Sequence, residues 1–154
     1  MTVDYLKEVF NYNFAVNKFI IKSIQESNPF LEKILKIFAH IVTAEKIWLM
    51  RLNGEDLSKQ IIWPELSLND CRNLLENNKK DYSNYLAGKD DHSIKTKISY
   101  KTSKGDSFET PVVDILMHVI IHSGYHRGQI NALIRQGGDE PLNTDYIHYV
   151  RYMI

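Results

Sequence analysis

DILMHVIIHSGYHRGQIN, residues 114–131, places His118, His122 and His126 at successive spacings of four and follows them at once with Arg127, Gly128 and Gln129. No proline interrupts the run and apolar residues recur through it, which predicts a helix. Residues four apart on a helix lie one turn apart on one face, so adjacent imidazoles converge on a single divalent ion. All three at once is harder. His118 and His126 are separated by roughly 12 Å along the axis and about 80° around it. One ion therefore takes one adjacent pair, either His118 with His122 or His122 with His126, and leaves the remaining ring beside the site or in the core. A third ligand then comes from another segment, where the other histidines are His40, His92 and His148.

A length of 154 residues suits one domain, 1–154, with a sizeable core. The formal net charge is zero and no basic tract stands out, so nothing predicts binding to nucleic acid or to an anionic membrane. The single cysteine, Cys71, excludes an internal disulfide framework and fits a reducing compartment. Beside Leu74 and Leu75 in a helical pattern, it reads as a small core residue rather than a nucleophile. MTVDYLKEVF lacks the features of a signal peptide, and no apolar run approaches the length of a membrane span. The expected location is cytoplasmic.

Upstream of the histidine run, residues 3–26 form a first amphipathic helix, with Asn13 and Asn17 on or beside its apolar stripe. A buried amide needs partners, so these two read as a satisfied polar pair between helices. Ser27-Asn28-Pro29 stops that helix and is expected to start the second, with Asn as cap and Pro at the first helical position. The second helix runs from Phe30 towards Gly54 and carries His40 on the shoulder of its apolar stripe. Glu45 lies near the same stripe. It is either a surface flank or a buried carboxylate paired with Arg127 or with a histidine ring.

A polar link over residues 55–66 ends in Trp63-Pro64. A third helix opens near a capping box at Ser67 to Asp70 and ends at Gly88. From Lys89 to Thr110 the pattern changes to alternation, with a turn at Ser103-Lys104-Gly105-Asp106, which predicts a small hairpin or extended crossover. His92 sits in its charged approach and reads as solvated. Pro111 opens the histidine helix, which stops at Gly137-Gly138. The tail from Asn143, with Tyr146, Tyr149 and Tyr152, predicts a short docked helix in which His148 packs. Four long helices with mostly short connections argue for an all-α four-helix bundle, with the hairpin before the last long helix.

His118-x-x-x-His122-Ser-Gly-Tyr-His126-Arg127-Gly128-Gln129 resembles the C-terminal signature of the DinB (damage-inducible) family, within the DinB/YfiT-like superfamily of metalloenzymes. His40-Ile-Val-Thr-Ala-Glu45-Lys-Ile-Trp48 resembles its second-helix motif, and Tyr12-Asn13-x4-Lys18 loosely resembles its opening helix. The resemblance covers nearly the whole chain. It implies a four-helix bundle, often a homodimer, with a divalent metal on three histidines. Carried over by position, the ligands are His40, His122 and His126, and His118 matches a position that does not ligate. The superfamily includes thiol-dependent transferases and isomerases that use low-molecular-weight thiols, alongside many members of unassigned activity.

An open three-histidine site leaves the ion a free position, which points to catalysis rather than to a closed structural site. Such an ion lowers the pKa of a bound water or thiol towards neutrality. Imidazole suits zinc, nickel, copper and iron alike, so the residues do not choose among them; zinc or nickel is the expected ion, with iron also compatible. Gly128 in mid-helix is expected to permit a close helix crossing, and Arg127 is either a structural partner of Glu45 or a contact for a substrate carboxylate. Three function classes stay open. One is a metal-dependent enzyme of thiol-transferase or hydrolase type acting on a small molecule. The second is a dimeric metal- or small-molecule-binding module without turnover. The third is a bundle used only for dimerisation, whose histidines are core residues.

Overall fold

Thr2 begins the order of the chain: its hydroxyl accepts from the Tyr5 N–H and starts helix α1, Val3–Ser23. The computed structural model describes residues 1–55, 57, 60–102 and 104–153. After α1 come α2 (Leu31–Leu52), α3 (Leu68–Ala87), a 3-10 turn at Ser93–Lys95, strands β1 (Lys97–Lys101) and β2 (Ser107–Pro111), α4 (Val112–Gln136) and a short α5 (Tyr146–Tyr152). Helices α1 to α4 form the bundle, and β1 and β2 pair antiparallel with Tyr100 opposite Phe108. No described helix is long and apolar enough to cross a membrane.

The core follows from the apolar stripes. Phe38, Ile41 and Val42 of α2 are fully buried, as are Leu116 and Ile130 of α4. Leu6 and Ile20 of α1 and Tyr82 of α3 close the other sides, with Phe10 stacked on Tyr82 at 4.7 Å between ring centroids. Each such side chain contributes about 1.5–3 kcal/mol by leaving water. Cys71 belongs to this layer, and burial pushes its thiol up to about 11.

Several predicted boundaries shift. Helix α2 starts at Leu31, not at Pro29, because the Asn28 carboxamide folds back to accept from the Phe30 N–H, forming a turn before the helix. The Asn28 amide nitrogen donates to Asp139, and a Cβ at Gly137 would overlap that carboxamide, so this glycine is required by a close approach. Gly128 is different. Nothing lies within 4 Å of where its Cβ would be, so no helix of this chain crosses there. The capping box at Ser67 and Asp70 is fully formed. The turn predicted at 103–106 and the link at 55–66 fall partly on residues 103, 56, 58 and 59, outside the described residues; Gly105 adopts φ +90° as a turn glycine does. Helix α5 docks as expected, with Tyr146 and Tyr149 set edge-on against Tyr12, while Tyr152 stays exposed.

Candidate metal centre

His40 is buried midway along α2, and His122 and His126 lie one turn apart on the face of α4 that packs against it. The Nε2 atom of His122 sits 3.2 Å from Nε2 of His40 and 3.2 Å from Nε2 of His126. One ligating atom from each ring falls within 4.8 Å of the other two. His118 lies outside this group. It is exposed, with its ring 5.0 Å from Trp48 and 5.6 Å from His122. His92 is exposed and His148 packs on Tyr152 at 4.9 Å, so neither joins the cluster.

The hydrogen bonds on the far side of each ring decide what the near side offers. Nδ1 of His40 is 2.6 Å from the Ile62 carbonyl, which only accepts, so the proton is on Nδ1 and Nε2 carries a bare lone pair. Nδ1 of His126 lies 2.8 Å from Oε1 of Gln129, which fixes the same tautomer. Two lone pairs thus face the His122 Nε2, where one proton could satisfy only one of them. A cation among the three satisfies all. Tetrahedral zinc with Zn–N bonds of about 2.0–2.1 Å spaces its nitrogens about 3.3 Å apart, which the two 3.2 Å separations match. The three-histidine group can hold a metal ion.

Electrostatics favour the neutral rings that metal ligation requires. Burial pushes His122 down to about 4, helped by His126, His40 and His118. Burial also lowers His40, against the Ile62 carbonyl, which favours its protonated form.

Glu45 is buried one turn beyond His40, and neither of its expected pairings forms. Its Oε1 accepts from the amide nitrogens of Asn13 at 2.8 Å and Asn17 at 2.9 Å and from the Ser123 hydroxyl at 3.2 Å. Its Oε2 accepts from Asn78 at 3.2 Å. Burial raises its pKa against these donors and the Arg127 charge. Arg127 does not reach Glu45 directly because Asn13 and Asn17 stand between them. Its Nη1 donates to Asn13 Oδ1 at 2.6 Å and Asn17 Oδ1 at 3.1 Å, and Nη2 donates to the Tyr12 hydroxyl at 3.3 Å. At 2% exposure its guanidinium faces the core, not a substrate. The two asparagines are the satisfied interhelical pair expected of them.

Sequence periodicity missed Trp63, whose ring lies flat on His40 at 3.8 Å between centroids with 6° between planes. A Trp-Pro step inside a polar link was its one visible signal. Beside the cluster opens a cavity of about 320 Å³ that includes His40, His122, Trp48 and Tyr100 in its lining.

The chain has relatives. The chain is 23% identical over 164 residues to "Protein DinB" of Bacillus subtilis, covering 96% of this chain and 94% of that protein. A crystal structure of a DinB-like protein from Bacillus cereus shares the fold, with a TM-score of 0.64 at 18% identity, covering 89% of this chain and 93% of that one. The sequence profile of the DinB family matches residues 7–153, from the second turn of α1 to just past the end of α5. With a helical bundle whose second and fourth helices bring three histidines together, the chain belongs to the DinB family.

Proposed function

We propose that the protein is a divalent-metal-dependent enzyme that joins or cleaves bonds to a small molecule, with His40, His122 and His126 as metal ligands and zinc or nickel as the ion. The observation that carries this reading is the convergence of three Nε2 atoms beside an open cavity. Three protein ligands leave a coordination position for a reactant, as catalytic sites do. A divalent ion held there supplies Lewis acidity, which favours the ionised form of a thiol or water at that position.

The chain's own residues do the rest. Ile62 and Gln129 fix the two ring tautomers. Trp63 covers one face of His40 and shields it from water. The Glu45 network ties α1, α3 and α4 to α2 and so sets the register at which His40 meets His122. The reaction class we favour is transfer involving a low-molecular-weight thiol, because neutral ligands leave the ion its full charge for a thiolate.

The test is turnover. Zinc- or nickel-loaded protein is given glutathione or cysteine with a chlorodinitrobenzene as electrophile, and product absorbance is followed. Metal-dependent acceleration that disappears in His122→Ala supports the enzyme. Stoichiometric metal without turnover, extended to ester and amide hydrolysis, supports the binding module instead. We also infer a symmetric homodimer built on bundle helices, since Ile121 and Tyr125 lie one turn apart on the outer face of α4 at 64% and 65% exposure.

A further inference from the structure

The cavity beside the histidines has a chemistry of its own. On α2, His40, Ala44, Ile47 and Arg51 recur at helical spacing along one face and line one wall. The hairpin supplies the opposite wall through Tyr100 and Phe108, the latter half exposed although it is a large apolar ring. Trp48 stands edge-on to Tyr100 at 5.3 Å between centroids. Among the described residues, Arg51 is the only charged side chain in this lining. Its guanidinium carbon lies 4.5 Å from the Trp48 ring centroid and 5.7 Å from that of Tyr100, so its described neighbours are aromatic faces. Among the described residues no carboxylate comes within ion-pair distance of it, and its Nε is shut off from solvent without a hydrogen-bond partner.

Arg51 also borders a second cavity of about 270 Å³, on the side of Glu55 and Lys101. That side already holds a charge of each sign and lacks the histidines. On the histidine side a guanidinium fork stands without a described counter-charge, and a fork matches a planar carboxylate in bidentate geometry. A dianionic phosphate would call for more than one cation. His40 and Arg51 are about 16 Å apart along the helix axis, and a helical side chain leans towards the N-terminus, which turns Arg51 back towards the cluster. An elongated ligand fits that separation.

We propose that this cavity binds a small carboxylic acid with an apolar body, its carboxylate on Arg51, its body between Trp48, Tyr100 and Phe108, and its opposite end at His40 and His122. The inference rests on the proposed metal centre only in making that opposite end the reacting one.

The probes are 4-phenylbutanoate and 4-phenylbutanamide, which differ in charge and little in shape. They are titrated into the metal-free full-length chain while the indole N–H signals of its two tryptophans are followed by NMR, with a Trp63→Phe variant giving the assignment. The acid should bind at least about tenfold more tightly than the amide and shift the Trp48 signal, and Arg51→Gln should bring the two affinities together. Equal affinities in the wild type, no saturable binding of the acid at millimolar concentration, or an acid preference that survives Arg51→Gln overturns the proposal. The acid-to-amide comparison in the wild type decides the matter even if Arg51→Gln does not fold. Metal-free protein offers no ion to the carboxylate, so the result is independent of the metal. A chain that takes up no zinc yet prefers the acid keeps the cavity and loses the metal centre.

Discussion

Glu45 and Arg127 compensate each other's charge without touching. The Asn13 amide nitrogen donates to Glu45 at 2.8 Å while its carbonyl oxygen accepts from Arg127 at 2.6 Å, and Asn17 one turn later repeats the bridge. Both ends of both amides are therefore used, and a buried carboxylate and guanidinium are held a side chain apart. Replacing Glu45 by Gln turns one acceptor into a donor facing other donors and leaves Arg127 uncompensated. Glu45→Gln should cost about 3–5 kcal/mol in urea unfolding. A loss under about 1 kcal/mol would show that the network carries no such burden.

Trp63 lies on His40 while the adjacent Ile62 carbonyl holds its Nδ1 proton. Removing the ring loosens a ligand without removing it. Trp63→Ala should weaken zinc binding by about tenfold in competition with a chelator, as loss of a supporting contact does, and leave the stoichiometry unchanged. An unchanged affinity would reduce Trp63 to a surface cover.

The histidines also set a pH dependence. In the unfolded chain His122 takes up a proton near its ordinary value of 6.5, whereas in the fold it resists until about 4. Between these values the unfolded state binds more protons, so stability falls as pH falls and levels off below about 4. His40 shifts in the same direction, and Glu45, whose pKa is raised, shifts in the opposite one. Comparing metal-free wild type with His122→Asn isolates the imidazole. The wild-type urea midpoint should drop more steeply between pH 6.5 and 4.5 than the variant's, and parallel curves would contradict the lowered His122 pKa.

Exposed Ile121 and Tyr125 bear on assembly. Light scattering at micromolar concentration should give a mass near twice the 18.0 kDa of one chain, and Tyr125→Glu should shift it towards the monomer. A wild-type mass near 18.0 kDa would end the dimer reading.

The helices were legible in the sequence because their apolar stripes are long and periodic, and a spacing of four put one adjacent histidine pair on a single ion without choosing between His118 with His122 and His122 with His126. Periodicity along one helix says nothing about register between helices. The choice of His126 and of His40 to join His122 therefore came with the family resemblance, and a direct Glu45–Arg127 pair is one of several sequence expectations where the structure interposes two asparagines. Asn28 misled for a local reason: a side chain that caps helices also closes a turn before one. Trp63 escaped because a link without periodicity gives no face to its residues. The cost of Gly128 in a helix suggests a crossing point, yet it borders open space.

The most direct test is elemental analysis of purified wild type, His122→Ala and His118→Asn. One divalent ion per chain in the wild type and in His118→Asn, with metal lost from a folded His122→Ala, is the predicted result. Equal stoichiometric metal in wild type and His122→Ala, or a folded wild type that binds none, would contradict a metal centre at His40, His122 and His126.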